Sequence, residues 1–291
     1  MTPHAHQHQH HASGPGAPHD EPYVAELLDL EADVLHAHLT ELTAWLAELT
    51  AERPVRRVLD LGSGAGTGTF ALLRRFEGAE AIAADASPRL LHHLQGKARE
   101  LGVADRVRTV EADLDAAWPD FGGVDLVWAS AALHHMSDPD RALREAYTAL
   151  APGGLLAVIE MAGNPCFLPD DLGIGRPGLE ARCRAALAGL HAETVPHLGA
   201  DWGPLLSRAG FAIAAERPFT VELTSPLPEA TGRYAQGVLG RMRTALDGRV
   251  AADDLSVLDT LLDSDGPHSL LHRDDLVVRT ERRVWAARRP A

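Results

Sequence analysis

Five short apolar runs, separated by stretches of helical spacing, dominate residues 56 to 161 and limit the architectures open to the chain. They read RRVLDLG (56 to 62), EAIAADAS (80 to 87), VRTVEADL (107 to 114), VDLVWAS (124 to 130) and GGLLAVIEM (153 to 161). Helix-like segments lie between them around Thr69 to Phe76, Arg89 to Leu101 and Pro139 to Leu150. Strands that alternate with helices at this interval run parallel, because each crossover helix returns the chain to the same end of the sheet, and both sheet faces are then covered. The pattern predicts a doubly wound α/β sheet whose ligands sit outside the carboxyl ends of the strands, near the point where strand order reverses.

The rest of the chain is organised around this core, expected over residues 53–162. Residues 1–20 combine a cluster of histidines with Gln, Pro, Gly and Ala, a composition that cannot bury enough surface to order itself. A mobile tail is expected there, with adventitious metal binding as the other reading. A helical arm is expected over 21–52. Asp20 suits a cap and Pro22 a first turn, and Val24, Leu27, Leu28, Leu35, Leu39, Leu42, Trp45, Leu46 and Leu49 recur at helical spacing, with a break near Asp29 to Asp33. A connector, a helix and a sixth strand are expected over 163–223, a helical cap insertion over 224–274 and a final strand over 275–291, the last two strands forming an antiparallel pair.

Charge and cysteine usage narrow the function classes. The formal charge of −14, with scattered basic residues of which Lys97 is the only lysine, argues against nucleic acid as a partner. Cys166 and Cys183 are too few and too far apart for a disulfide framework, and read as ordinary thiols of a reducing compartment. No Lys or Arg precedes Arg53 and no apolar run has the length of a membrane span, so a cytoplasmic protein without a membrane partner is expected. A monomer or a homodimer is expected.

The first strand runs into VLDLGSGAGTGTF, with glycine at every second position from Gly62 to Gly68. Glycine weakens regular structure, so the stretch reads as a turn whose backbone must pass close to something. A dinucleotide fingerprint of the GxGxxG type fails, because Thr67 or Thr69 stands where its third glycine is required. No lysine follows the turn, which excludes a Walker loop. The spacing present is DxGxGxG, from Asp60 to Gly66. Tight strand-to-helix packing is the structural alternative to a ligand site.

This turn resembles the first motif of the class I S-adenosylmethionine-dependent methyltransferases, and the resemblance extends in order from about Arg56 to Met161. It implies a Rossmann-like sheet of seven strands, S-adenosyl-L-methionine as cofactor, S-adenosyl-L-homocysteine as product, and no metal. Asp60, Gly62, Ser63, Gly64 and Gly66 match the turn that faces the methionine part. Asp85, followed by Ala86, matches the acidic residue on the ribose hydroxyls, and a carboxylate suits two vicinal hydroxyls. Asp113 and Leu114 match the positions beside the adenine. VDLVWASAALHHM and LAPGGLLAVIE resemble the fourth- and fifth-strand motifs, which adds Ala129 and Ser130 to the cofactor set. Tyr23, on the arm, either closes over the cofactor or packs.

Methyl transfer from a sulfonium is an in-line displacement, so holding the acceptor in line and excluding water matter most. A base is needed only where the acceptor keeps a proton. His134 and His135 follow the fourth strand, and a histidine can take a proton at neutral pH; alternatively, the pair only shapes a helical turn. Glu160 either orients substrate, pairs with His134 or bonds a neighbouring loop. His197, Trp202 and Tyr234 fall in a variable cap expected to line the acceptor pocket, with packing as the alternative. Asn164-Pro165-Cys166-Phe167 is similar to the motif of amino-methylating relatives, but it is incomplete and follows strand five. The expected reaction is methylation of a small molecule, at an aromatic or heteroaromatic carbon such as indole C3 or at O or N, in bacterial secondary metabolism. A non-catalytic binder of the cofactor and a dinucleotide oxidoreductase are the rival classes.

Overall fold

The computed structural model describes residues 21–291, so the tail expected over 1–20 and the Asp20 cap lie outside the described residues. Two helices come first, α1 (Glu21–Val34) and α2 (His36–Leu49). The break expected near Asp29 to Asp33 falls instead at Leu35, whose backbone leaves the helix at φ −100°, ψ 17°. Two acids of the segment where the break was expected have partners on the core. Asp29 meets Lys97 Nζ at 2.5 Å and His93 Nε2 at 2.8 Å, and Glu31 pairs with Arg282. Leu35 marks the point where the arm passes from one apolar cluster to another. Leu27, Leu30 and Val34 of α1 pack with Tyr234, Leu239 and Met242, whereas Leu42 and Leu46 of α2 pack with Val58, Trp128 and Ile159. Full burial of a leucine side chain contributes about 1.5–3 kcal/mol, so each half of the arm is anchored by its own stripe.

The core runs β1 (Arg57–Leu61), α3 (Thr67–Arg75), β2 (Glu80–Asp85), α4 (Pro88–Glu100), β3 (Val107–Glu111), β4 (Val124–Ser130), α5 (Pro139–Ala149) and β5 (Leu150–Met161). Helix starts follow local chemistry. Ser87 Oγ accepts from Leu90 N ahead of Pro88, and Asp138 Oδ1 accepts from Arg141 N ahead of Pro139. β5 begins at Leu150 rather than Gly153, because the Pro152-Gly153-Gly154 turn stays in the sheet with Gly153 at φ 80°. Then follow α6 (Leu179–Thr194), α7 (Gly203–Arg208), β6 (Ala212–Leu223), α8 (Thr231–Ala245), α9 (Ala252–Leu262) and β7 (Val278–Arg288).

The seven strands form one sheet in the order β3-β2-β1-β4-β5-β7-β6. The first five pair in parallel, and β7 is antiparallel to both β5 and β6. Strand order reverses between β1 and β4, which fixes where a ligand site is expected. Side chains alternate across the sheet, so Ile159, Met161, Arg282 and Val284 share the face toward the arm while Glu160 belongs to the other. Among the described residues no helix is long and apolar enough to cross a membrane.

Candidate active site

A cavity of about 480 Å³ opens at the reversal point and continues beneath the arm. Its floor at one end is the glycine turn. Gly62, Gly64 and Gly66 all take positive φ, at 65°, 52° and 91°, a region that side chains with a Cβ rarely adopt. Gly62, Ser63, Gly64 and Gly68 line the cavity. Gly66 does not: a Cβ there would come within 2.7 Å of Leu94 Cγ and Phe70 Cε2, so this glycine is required by helix packing. The two readings of the turn thus divide among its glycines.

Asp60 lies at the base of the turn, 2 % exposed, and accepts a 2.7 Å hydrogen bond from Thr69 Oγ1. Burial pushes its carboxyl up to about 7, against the pull of the Thr69 hydrogen bonds. Asp85 braces the turn from the next strand: its Oδ2 accepts from Gly64 N at 2.8 Å and its Oδ1 from Ser87 N at 2.9 Å. Asp113 Oδ1 accepts from Asp115 N at 2.9 Å. Asp85, Ala86, Asp113, Leu114 and Ser130 line the cavity, while Ala129 is buried behind it.

The two histidines part company. Leu133–His135 is a single turn of 3₁₀ helix. His134 turns inward, 4 % exposed and off the cavity wall, where Nδ1 lies 2.5 Å from Glu160 Oε2. Glu160 Oε1 accepts from Leu133 N at 3.1 Å, so this carboxylate ties down the whole turn. His135 lines the cavity, its ring centroid 4.1 Å from that of His134. Its pKa is lowered to about 4, chiefly by desolvation and then by His134, Arg241 and His191. Neither His134 nor Glu160 lines the cavity: neighbouring residues of so tight a turn point in different directions, and Glu160, on the opposite face of β5, pairs with His134, one of the readings that the sequence allows.

Four further residues expected at the site also stand off the cavity wall, where packing was the other reading. Tyr23 stands off the cavity, with its hydroxyl donating to Gly237 O at 2.8 Å. Trp202 is fully buried in the sheet core with Leu206 and Trp285, and His197 lies beside it with ring centroids 6.4 Å apart. Tyr234 packs edge-on against Phe167 at 5.2 Å. None of these rings meets the cavity: Trp202 and Tyr234 are taken up in apolar clusters elsewhere, Tyr23 is tied to Gly237, and His197 lies against Trp202.

The remaining wall comes from the arm and the far strands. Leu28, Leu35, Leu39 and Leu42 face Trp128, Ile159 and Met161, with Glu31, His38 and Arg282 as the polar members.

Comparison with known proteins bears on this site directly. A family model described as a methyltransferase domain matches residues 58–154, the stretch from β1 into β5. The malonyl-[acyl-carrier protein] O-methyltransferase of Laribacter hongkongensis is 31 % identical over 229 residues, covering 75 % of this chain and 71 % of that one. This chain is a class I S-adenosylmethionine-dependent methyltransferase. The methyltransferase is also 38 % identical over 119 residues to the demethylmenaquinone methyltransferase of Thermus thermophilus, covering 40 % of this chain and 53 % of that one. It thus spans about half the length of that relative. The fold is shared with the YcgJ protein of Bacillus subtilis at a TM-score of 0.52 and 18 % identity, over 88 % of this chain and 100 % of that one.

The methyltransferase's turn fits a polar cofactor on two observations. Ser63 Oγ is a buried hydroxyl with no hydrogen-bond partner among the described residues, at the cavity wall. Gly64, at φ 52° on the cavity wall, holds a conformation that residues with a Cβ rarely adopt, so the backbone there is left bare. Among the described residues no three His, Cys, Asp or Glu side chains converge as a metal ion would require. The sequence reading missed the arm leucines as cavity wall, and it missed Arg282. A signal existed for the latter. In VRTERRVW, Arg282 falls in step with Val278, Thr280 and Val284, the residues of the inward face.

Proposed function

We propose that the enzyme methylates a small, largely apolar molecule held between the arm and the β5–β7 end of the sheet. The acceptor atom is a ring carbon, as in indole C3 or a quinone, or an O or N on a molecule of that kind, and the setting is specialised metabolism. One observation carries this reading: a single cavity joins the glycine turn to the apolar wall of Leu35, Leu39, Leu42, Ile159 and Met161, with His135 on its surface. Relatives named for C-methylation, in ubiquinone/menaquinone biosynthesis, and for O-methylation support both kinds of acceptor atom.

Within this reading Asp60 faces the cofactor's ammonium end, Gly62, Ser63 and Gly64 give room and a hydroxyl to the methionine part, and Asp85 with Ala86 takes the ribose. Each Asp85 oxygen already accepts one backbone N–H, and a carboxylate oxygen has a second lone pair to spare. Asp113, Leu114 and Ser130 complete the nucleoside side. When bound, S-adenosylmethionine supplies an electrophilic methyl group. His135 accepts the acceptor's proton where one is lost: its lowered pKa keeps the ring neutral with a free lone pair at pH 7, as a weak base suited to an acceptor that becomes strongly acidic on methylation. Glu160 and His134 are positioning residues that hold the turn carrying it. The arm leucines exclude water from the line of transfer.

The test is formation of S-adenosylhomocysteine in the presence of a panel of indoles, phenols and quinones, with calorimetric titration of S-adenosylhomocysteine alongside. Acceptor-dependent product is expected. Absence of product across the panel, with no heat from the titration, overturns the reading.

A further inference from the structure

Arginine is among the residues least often buried, yet Arg282 is 8 % exposed on the inward face of β7. An interior guanidinium is retained only where it has a partner or a task. It stands opposite Met161, the last residue of β5, and opposite Phe219 of β6, so the ladder places it at the acceptor end of the cavity. Its partner is Glu31 of α1. That is its single hydrogen bond among the described residues, and a guanidinium carries five N–H donors.

His38 and Glu41 are the other titratable groups near it on the arm. His38 lines the same wall with its pKa lowered to about 4, by burial first and then by Arg282, so it stays neutral at pH 7 and neither pairs with the guanidinium as an ion nor adds positive charge. Glu41 is taken by Arg217 at 2.5 Å. Glu31 therefore fixes one edge of the fork, the remaining donors have no partner among the described residues, and Arg282 lines the cavity together with Leu35, Met161 and Ile159. A planar fork in apolar surroundings suits a carboxylate, which meets two parallel N–H groups at once.

Resting on the function proposed above, we infer that Arg282 is the specificity-determining residue of the acceptor end, binding a carboxylate carried by an otherwise apolar acceptor, with Glu31 orienting the guanidinium. The acceptor class is an apolar, ring-sized acid. The competing role is a purely structural tie between arm and sheet, which requires no acidic ligand.

The two roles separate with a matched pair of probes, 1-naphthoate and 1-naphthamide, titrated into protein saturated with S-adenosylhomocysteine. Titration of S-adenosylhomocysteine comes first and tests the proposed function alone. The wild type is expected to bind the acid about tenfold or more tightly than the amide, since the difference is one charge-assisted pair. Arg282→Met should abolish the preference and leave S-adenosylhomocysteine affinity unchanged. Arg282→Lys, which keeps the charge without the fork, should retain only part of it, and it carries the test if the methionine variant does not fold. Equal binding of the two probes, binding of neither, or a preference that survives both substitutions overturns the inference, even where S-adenosylhomocysteine binds normally.

Discussion

Thr69 Oγ1 donates a 2.7 Å hydrogen bond to Asp60 Oδ2, and both side chains are sealed from bulk solvent. Position 69 is where a dinucleotide fingerprint beginning at Gly64 demands glycine. Here a side chain stands in its place and holds the carboxylate at the base of the turn. Burial favours the neutral acid and the Thr69 bond favours the anion, leaving Asp60 near 7. In the proposed function, the ammonium group of the cofactor would stabilise the anion at this turn.

Thr69→Val should raise Asp60 further, because the acceptor loses the donor that lowered its pKa. Stability is expected to fall by about 1–3 kcal/mol, the usual cost of leaving a buried acceptor unpaired. S-adenosylhomocysteine affinity, which requires the anion, should rise with pH along a curve displaced toward higher pH. Calorimetric titrations from pH 5 to pH 9 check the displacement, and an unmoved curve assigns Asp60 no part in binding.

The turn and the three acids at the ends of β1, β2 and β3 were legible because each sits at a strand end that the sequence itself marks. What lay beyond reach depended on long connections. Arg282 and Glu31 are 251 positions apart, and their pairing follows from β7 entering the sheet beside β5. Which of His134 and His135 faces the cavity turns on a three-residue helix too short to show a period. Trp202 reads as a cap residue for a related reason: it precedes a helix of six residues after an irregular segment, and nothing local says that it closes the sheet core.

Glu160→Ala should strip the partners from Leu133 N and His134 Nδ1 together. A loss of about 3 kcal/mol is expected for breaking such a buried pair. Turnover should drop with it, because the turn that presents His135 loosens, while S-adenosylhomocysteine affinity of the folded protein holds. Thermal melts and calorimetry on the same preparation separate the two effects.

Gly64→Ala and Gly66→Ala should fail in different ways. At Gly64 the added Cβ meets only Leu28 Cδ1, the end of a flexible side chain, but stands at the cavity wall. The left-handed backbone costs about 1–2 kcal/mol, and cofactor affinity should fall more steeply than stability. At Gly66 the Cβ collides with Leu94 and Phe70 inside the core, so the loss is mainly of stability, by about 1–3 kcal/mol beyond the backbone cost. Melting curves and S-adenosylhomocysteine titrations on both variants decide it.

His38 and Asp60 should pull the stability of the cofactor-free protein in opposite directions as pH changes. His38 has its pKa lowered from 6.5 to about 4, chiefly by burial. Between those values the unfolded chain binds a proton that the fold refuses, so this residue makes stability rise with pH. Asp60 is raised from 3.8 to about 7, so over that window the fold keeps a proton that the unfolded chain has lost, and stability falls as pH rises. At 1.36 kcal/mol per unit the two contributions are about 3 and about 4 kcal/mol, of opposite sign, and largely cancel between pH 4 and pH 6.5. Substitution exposes each in turn. The stability difference, wild type minus His38→Leu, should climb from pH 4 to 6.5 and then level, whereas wild type minus Asp60→Asn should decline from pH 4 to 7. Urea denaturation at half-unit pH steps measures both differences, with the remaining titrating groups common to all three proteins and therefore subtracted. Parallel rather than opposed differences would show that burial at one of these two sites is relieved by water.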